Sequence, residues 1–157
     1  MREIVADHDA KGLGFTLVAA RFNEAYVRRM VDAALEVLRA RGAAEADLEV
    51  AWVPGSYELP LAARWAIERR APAAVLAFGV LIRGETIHDR LVADAATSGL
   101  MRVMLDTGVP VLDGVLAVEN AAQAEARTGG AIGNRGADVA LAAIAMARLR
   151  VAAGGAS

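Results

Sequence analysis

Residues 73–88 read AAVLAFGVLIRGETIH, and the change of character within them decides the fold class. Ala73 to Ile82 is apolar on both faces, the pattern of a central parallel strand covered by helices on both sides. Arg83-Gly84-Glu85-Thr86 is polar and flexible, and His88, one of two histidines in the chain, follows closely. In an open α/β sheet, ligands settle just beyond the carboxyl ends of the strands, where helices begin. Free N–H groups at such a helix start attract anions. A glycine lets the backbone approach a ligand closely, and an imidazole moves protons near neutral pH. The same residues also describe a strand, a turn and a surface histidine with nothing bound.

The rest of the chain alternates strand and helix patterns around that stretch. Residues 1–12 are polar and read as an arm. Gly14 to Ala20, GFTLVAA, is a short buried strand. Asn23 is suited to cap the helix that follows, and Glu24 sits in its first turn, where the helix dipole favours an acid. Val27, Val31, Ala34, Leu35 and Leu38 repeat at helical spacing as far as Arg41, and Gly42 marks the stop. Leu48 to Val53 is a second strand, ended by Pro54-Gly55. A helix is expected from about Tyr57 to Arg70, with Pro60 in its first turn, where a missing N–H costs little. After the strand Ala73–Ile82, a long helix runs from about Thr86 to Asp106. Pro110 to Val118 is the fourth strand. A short helix covers about Asn120 to Thr128 and ends at Gly129-Gly130. The last helix starts near Asn134 and reaches about Val151, leaving residues 152–157 as a frayed tail. Strands alternating with helices predict a parallel sheet with right-handed crossovers and helices on both faces. No repeat or linker divides the 157 residues, so one domain is expected.

Composition narrows the function classes. Hydrophobic residues make up 56% and charged residues 23%, which allows a substantial core, but aromatics are only 4%. Alanine supplies much of the apolar content, favouring closely packed helices and leaving apolar surface for neighbouring subunits to cover. A net charge of −2 carries no nucleic-acid footprint. The absence of cysteine excludes disulfides and thiolate metal sites. MREIVADHDA lacks the apolar core of a secretory signal, and no apolar run approaches the roughly 18 residues of a membrane helix. A soluble cytoplasmic protein is expected.

Four segments are expected to gather at the strand ends: Ala20-Arg21-Phe22-Asn23, Val53 to Glu58, Ile82 to Thr86, and Leu112-Asp113-Gly114. With ARFNEAYV, VPGSYELP, GVLIRGETIH, GLMRVMLDTGVPV, GVL, AQAEAR and GNRG in this order and spacing, the chain resembles the lumazine synthase family from Gly14 to about Leu149. The resemblance implies a three-layer α/β/α sandwich of flavodoxin-like type with a four-stranded parallel sheet. A fifth strand could come from a neighbour's N-terminal arm. It also implies condensation of 5-amino-6-ribitylaminouracil with 3,4-dihydroxy-2-butanone 4-phosphate, a step of riboflavin biosynthesis, with no metal or organic cofactor.

Carried over residue by residue, the resemblance implies that Phe22 stacks on the pyrimidine ring. Ser56, Tyr57 and Glu58 form the turn that holds the ribityl chain and ring, and Leu81 and Ile82 offer backbone to the uracil edge. Gly84, Glu85 and Thr86 face the phosphate, and His88 transfers protons. From the neighbouring subunit, Arg127 pairs with the phosphate and Asp113 borders the ligand. Arg135 stands where the family usually has lysine. The chain departs from the family at Asp89-Arg90-Leu91, where aromatic-acid-aromatic is usual, at Asp113 in place of phenylalanine, and at Ala131 in place of lysine. An active synthase is the first expectation. A weakened shell-forming or lumazine- or flavin-binding paralogue is the second, and an enzyme like the archaeal riboflavin synthase the third. The resemblance further implies a homopentamer. The tight turn Gly133-Asn134-Arg135-Gly136, with no insertion after Arg127, points to a sixty-subunit icosahedral shell of such pentamers.

Overall fold

The computed structural model describes residues 1–155. Four strands, β1 (Phe15–Ala20), β2 (Leu48–Val53), β3 (Ala74–Ile82) and β4 (Val111–Val118), form one parallel sheet in the order β2-β1-β3-β4. Five helices accompany it: α1 (Glu24–Ala40), α2 (Leu59–Arg70), α3 (His88–Thr107), α4 (Ala121–Arg127) and α5 (Arg135–Ala152). The apolar run that precedes Arg83 forms β3, placed inside the sheet and buried along nearly its whole length.

Alternation along the strands separates the three layers. Phe15, Leu17 and Ala19 of β1, with Leu76, Phe78 and Val80 of β3, pack against α1 and α5 through Val27, Met30, Leu38, Ala140 and Ile144. The intervening Val18, Val75 and Ala77 face Leu59 and Ala63 of α2 and Leu100 of α3. Each fully buried Leu or Phe contributes about 1.5–3 kcal/mol. The many alanines on the helices bring them close to the sheet and to one another. At Gly136 α5 lies so near α1 that an added Cβ would stand 2.0 Å from the Met30 carbonyl oxygen. No helix of the described residues is long and apolar enough to cross a membrane.

Several boundaries differ from expectation for local reasons. Asn23 adopts a left-handed conformation (φ 57°) and makes no side-chain cap to α1. Ser56–Glu58 forms a 3-10 turn, so α2 begins only at Leu59, with Pro60 in its first turn as expected. The α3 helix begins at His88 rather than near Thr86, because the Thr86 hydroxyl accepts the His88 N–H at 3.3 Å. After α4, where only a helix stop at Gly129-Gly130 and a tight turn at Gly133 were expected, β5 (Thr128–Gly130) and β6 (Gly133–Asn134) pair antiparallel as a short ribbon.

Asp113 is misplaced in the sequence-based grouping of strand ends. It lies near the beginning of β4, paired with Ala77 midway along β3, whereas the carboxyl end of β4 is Val118, opposite Ile82. Residues 1–10 have no regular structure. The root of this arm is tied to its own chain, since Arg148 Nε and Nη2 donate to the Asp9 and Lys11 carbonyls at 2.7 and 2.8 Å. Ala152, expected in the tail, closes α5, and residues 156–157 of that expected tail lie outside the described residues.

Candidate active site at the strand exits

Three crossover turns meet at the carboxyl end of the sheet, and hydrogen bonds fix them to one another. As β1 leaves the sheet, the Arg21 N–H donates to the Val53 carbonyl at 2.8 Å and the Phe22 N–H to the Pro54 carbonyl at 3.1 Å. On the other flank, Asn23 Nδ2 donates to the Val80 carbonyl of β3 at 2.8 Å. The Phe22 backbone is therefore bounded on one side by the exit of β2 and on the other by the exit of β3. Phe22 is 66% exposed, and Tyr57 is 67% exposed. Aromatic surface so open at a strand exit is available to a ligand or a partner.

The β2 exit is packed more tightly. Ser56 is only 4% exposed, and its hydroxyl lies where a Cβ on Gly79 would stand, at 2.2 Å. Glycine at 79 is therefore a steric requirement of this turn. Glu58 Oε2 accepts the Gly55 N–H at 3.0 Å, which closes the turn and holds the carboxylate at its mouth. Leu81 is buried and Ile82 half-buried at the last positions of β3.

Gly84, Glu85, Thr86 and His88 are all exposed, at the exit of β3 and the start of α3. The Gly84 N–H points to Asp89 Oδ1 at 3.5 Å. Beside this loop lies a cleft of about 440 Å³ lined by residues including Arg83, Thr86, Asp89, Arg90 and Glu119. Arg83 Nη1 donates to Glu119 Oε2 at 2.8 Å across it, a bond that raises the arginine's pKa above its usual value. With Glu85, Asp89 and Glu119 close by, the chain's own charge here is more acidic than basic.

The remaining candidates lie elsewhere. Asp113 is exposed on the edge strand β4, its Oδ1 accepting the Val115 N–H at 2.9 Å. Arg127 ends α4, half-buried, with Nη1 donating to the Gln123 carbonyl at 3.2 Å. Arg135 opens α5 on the far side of the β5–β6 ribbon. No hydrogen bond or ion pair among the described residues joins Asp113, Arg127 or Arg135 to the three turns. The structure thus brings together Phe22, Ser56, Tyr57, Glu58, Leu81, Ile82, Gly84, Glu85, Thr86 and His88, and leaves the other three apart.

Sequence reasoning missed the tie from Asn23 and the pair Arg83–Glu119. A second polar network flanks Phe22: Glu24 accepts from Arg28 at 2.7 Å and from Arg21 at 3.3 Å, and the Arg28 guanidinium lies 4.5 Å from the Trp52 ring centroid. The Arg28 hydrogen bond, with the Arg21 charge, holds the Glu24 carboxyl below its usual range. The only sequence signal for this cluster was an acid flanked at helical spacing by arginines.

Residues 12–151 match a family model described as 6,7-dimethyl-8-ribityllumazine synthase. Curated proteins of that name are similar over most of the chain. The protein from Stenotrophomonas maltophilia strain R551-3 is 50% identical over 135 residues, covering 86% of this chain and 87% of its own. The protein from Halorhodospira halophila is 46% identical over 147 residues, covering 94% and 92%. The protein from Thermus thermophilus is 44% identical over 140 residues, covering 89% of each.

Proposed function

The chain belongs to the 6,7-dimethyl-8-ribityllumazine synthase family, and from that membership we propose how its residues divide the lumazine synthase reaction. The reaction joins 5-amino-6-ribitylaminouracil to 3,4-dihydroxy-2-butanone 4-phosphate and releases 6,7-dimethyl-8-ribityllumazine, phosphate and water. Holding amine against ketone is entropic work. Expelling phosphate and closing the ring require proton transfers.

Phe22 stacks on the pyrimidine, and its exposed ring beside a hydrogen-bonded strand exit supports that role. The Leu81 and Ile82 backbone faces the uracil edge. The turn Ser56-Tyr57-Glu58 receives the ribityl chain, Ser56 through its backbone and Glu58 through the carboxylate held at the turn's mouth. Gly84, Glu85 and Thr86 face the phosphate, and His88, exposed at the start of α3, takes a proton from the carbon next to the imine and returns it later. These roles need no metal or organic cofactor. The carrying observation is the mutual hydrogen bonding of the β1, β2 and β3 exits, which gathers all of these residues at one end of the sheet.

A phosphate dianion beside Glu85 and Asp89 meets a surplus of carboxylates, since Arg83 is engaged by Glu119 and Arg90 alone does not offset them, so it needs a further cation. Arg127 of a neighbouring subunit provides it through its planar fork, with Asp113 of that neighbour bordering the ring, and Arg135 keeps the positive charge where the family usually has lysine. Leu61, Trp65, Leu91, Met101 and Leu105, exposed on α2 and α3, give neighbours apolar surface to cover. The proposed assembly is a homopentamer that packs into a sixty-subunit shell, working in the cytoplasm on small molecules rather than on nucleic acid or membrane. The direct test mixes both substrates with purified protein and follows lumazine fluorescence against the spontaneous condensation. A rate well above background is expected, and a rate equal to background would overturn the assignment.

A further inference from the structure

Asn23 is the residue on which the geometry of the strand exits turns, although nothing in its local sequence marks it as more than a helix cap. It is one of two non-glycine residues with positive φ among the described residues. A left-handed conformation is uncommon for residues with a side chain, and it persists where the surroundings hold it. It brings no cap to α1. Instead, the amide reaches across 57 positions of sequence to the Val80 carbonyl.

The sheet register explains why that carbonyl needs a donor. The β1–β3 ladder ends at the pair Ala19–Phe78, and the backbone N–H groups of Arg21 and Phe22 beyond it are given to the β2 exit. Val80 lies two residues further along β3, nearly fully buried. Asn23 Nδ2 supplies from a side chain the N–H that the departing strand no longer offers. The next two residues of β3 are Leu81 and Ile82, and the residue before Asn23 is Phe22. One amide thus fixes the distance between the aromatic wall and the backbone wall of the proposed ring-binding slot.

We propose that Asn23 is a positioning residue that sets the width of the slot between Phe22 and Leu81-Ile82, and with it the affinity for the pyrimidine substrate. It touches no reacting atom and acts through the two walls. The proposal rests on the assignment of Phe22 to ring stacking.

Three variants test it, all as the assembled enzyme: Asn23→Gly, Asn23→Asp and Phe22→Ala. Glycine adopts the left-handed conformation at no cost but cannot bridge. Aspartate keeps the shape and, ionised, has no donor, so it sets an acceptor against an acceptor. The expected result for Asn23→Gly is an increase of about tenfold in KM for the ribitylaminouracil, the scale of leaving one buried acceptor without its partner. KM for the butanone phosphate should change little, and the melting temperature should fall by only the few degrees that one unpartnered buried carbonyl costs. Asn23→Asp should lose at least as much. Phe22→Ala should also weaken the pyrimidine alone. If Phe22→Ala weakens it while Asn23→Gly and Asn23→Asp bind as the parent does, the positioning role is overturned and the stacking role survives. If Phe22→Ala binds normally, the stacking assignment fails and the slot fails with it. An equal loss for both substrates with a lowered melting temperature would make Asn23 a structural residue and nothing more.

Discussion

His88 stands at the first position of α3 with an exposed side chain, so its ring can be removed without unpacking the core. If it shuttles protons, His88→Ala should slow turnover by about one to three orders of magnitude, within the range of general acid–base catalysis. The circular dichroism spectrum should be unchanged. Turnover at the parent rate would remove His88 from the chemistry. Asp113 is the departure with the clearest consequence, since an exposed acid, its Oδ1 accepting the Val115 N–H, stands where the family usually has an apolar ring. Asp113→Phe should tighten binding of a ribityl-pyrimidine analogue, measured by calorimetric titration, and an unchanged affinity would show that the position faces away from the ligand. The places of Phe22, Glu58 and His88 beyond the strand exits were legible because each comes after an apolar run, while their roles came from the resemblance alone. Asn23 was not, because its partner Val80 is remote in sequence while its propensity to cap is local. Asp113 was misassigned because a polar residue interrupting an apolar run resembles a strand end, whereas an edge strand accommodates an exposed acid within its length.

The elements were read from apolar runs and helical spacing, and the four strands of the sheet and five helices lie within about two residues of where those patterns placed them. The β5–β6 ribbon escaped because Gly129, Gly130 and Gly133 carry no strand propensity, and only pairing makes them a strand. The turn Gly133-Asn134-Arg135-Gly136 has an intrachain role that its sequence did not disclose. Asn134 caps α5 by accepting the Gly136 N–H at 2.8 Å, while its Nδ2 donates to the Arg29 carbonyl at 3.2 Å. Gly136 sits against the backbone of α1 at Met30, where rigid neighbours cannot yield. Gly136→Ala should therefore destabilise by about 3 kcal/mol, the upper part of the range for overpacking. The lower denaturation midpoint would register it, and an unchanged midpoint would mean that the two helices separate freely. At the start of α1, the Glu24 carboxyl is held below its usual range, so its interaction is present above the unfolded pKa and is lost as pH falls through the lowered folded value. Parent and Glu24→Gln should differ in melting temperature at neutral pH and converge in acid. A gap that widens in acid would contradict that sign.

At the scale of the whole molecule, one chain carries only part of the proposed site, and a closing head-to-tail interface generates a ring. Light scattering and electron microscopy should find closed shells. Free pentamers across salt and pH would remove the shell, and an active monomer would remove the shared site. The two faces of the sheet also differ in how far apart in the chain their contributors lie. The α2–α3 face draws on residues from Val18 to Val111. The α1–α5 face begins at Ala10 and is completed only by residues as late as Ala147. On a ribosome, which makes the amino end first, the earliest helix waits for the latest. At about 5–20 residues per second, α1 spends a few seconds with the side that meets α5 uncovered after the opposite face has everything it needs. A nascent chain of this sequence passes through a stage that is half closed, and the open half is the side that chaperones would meet.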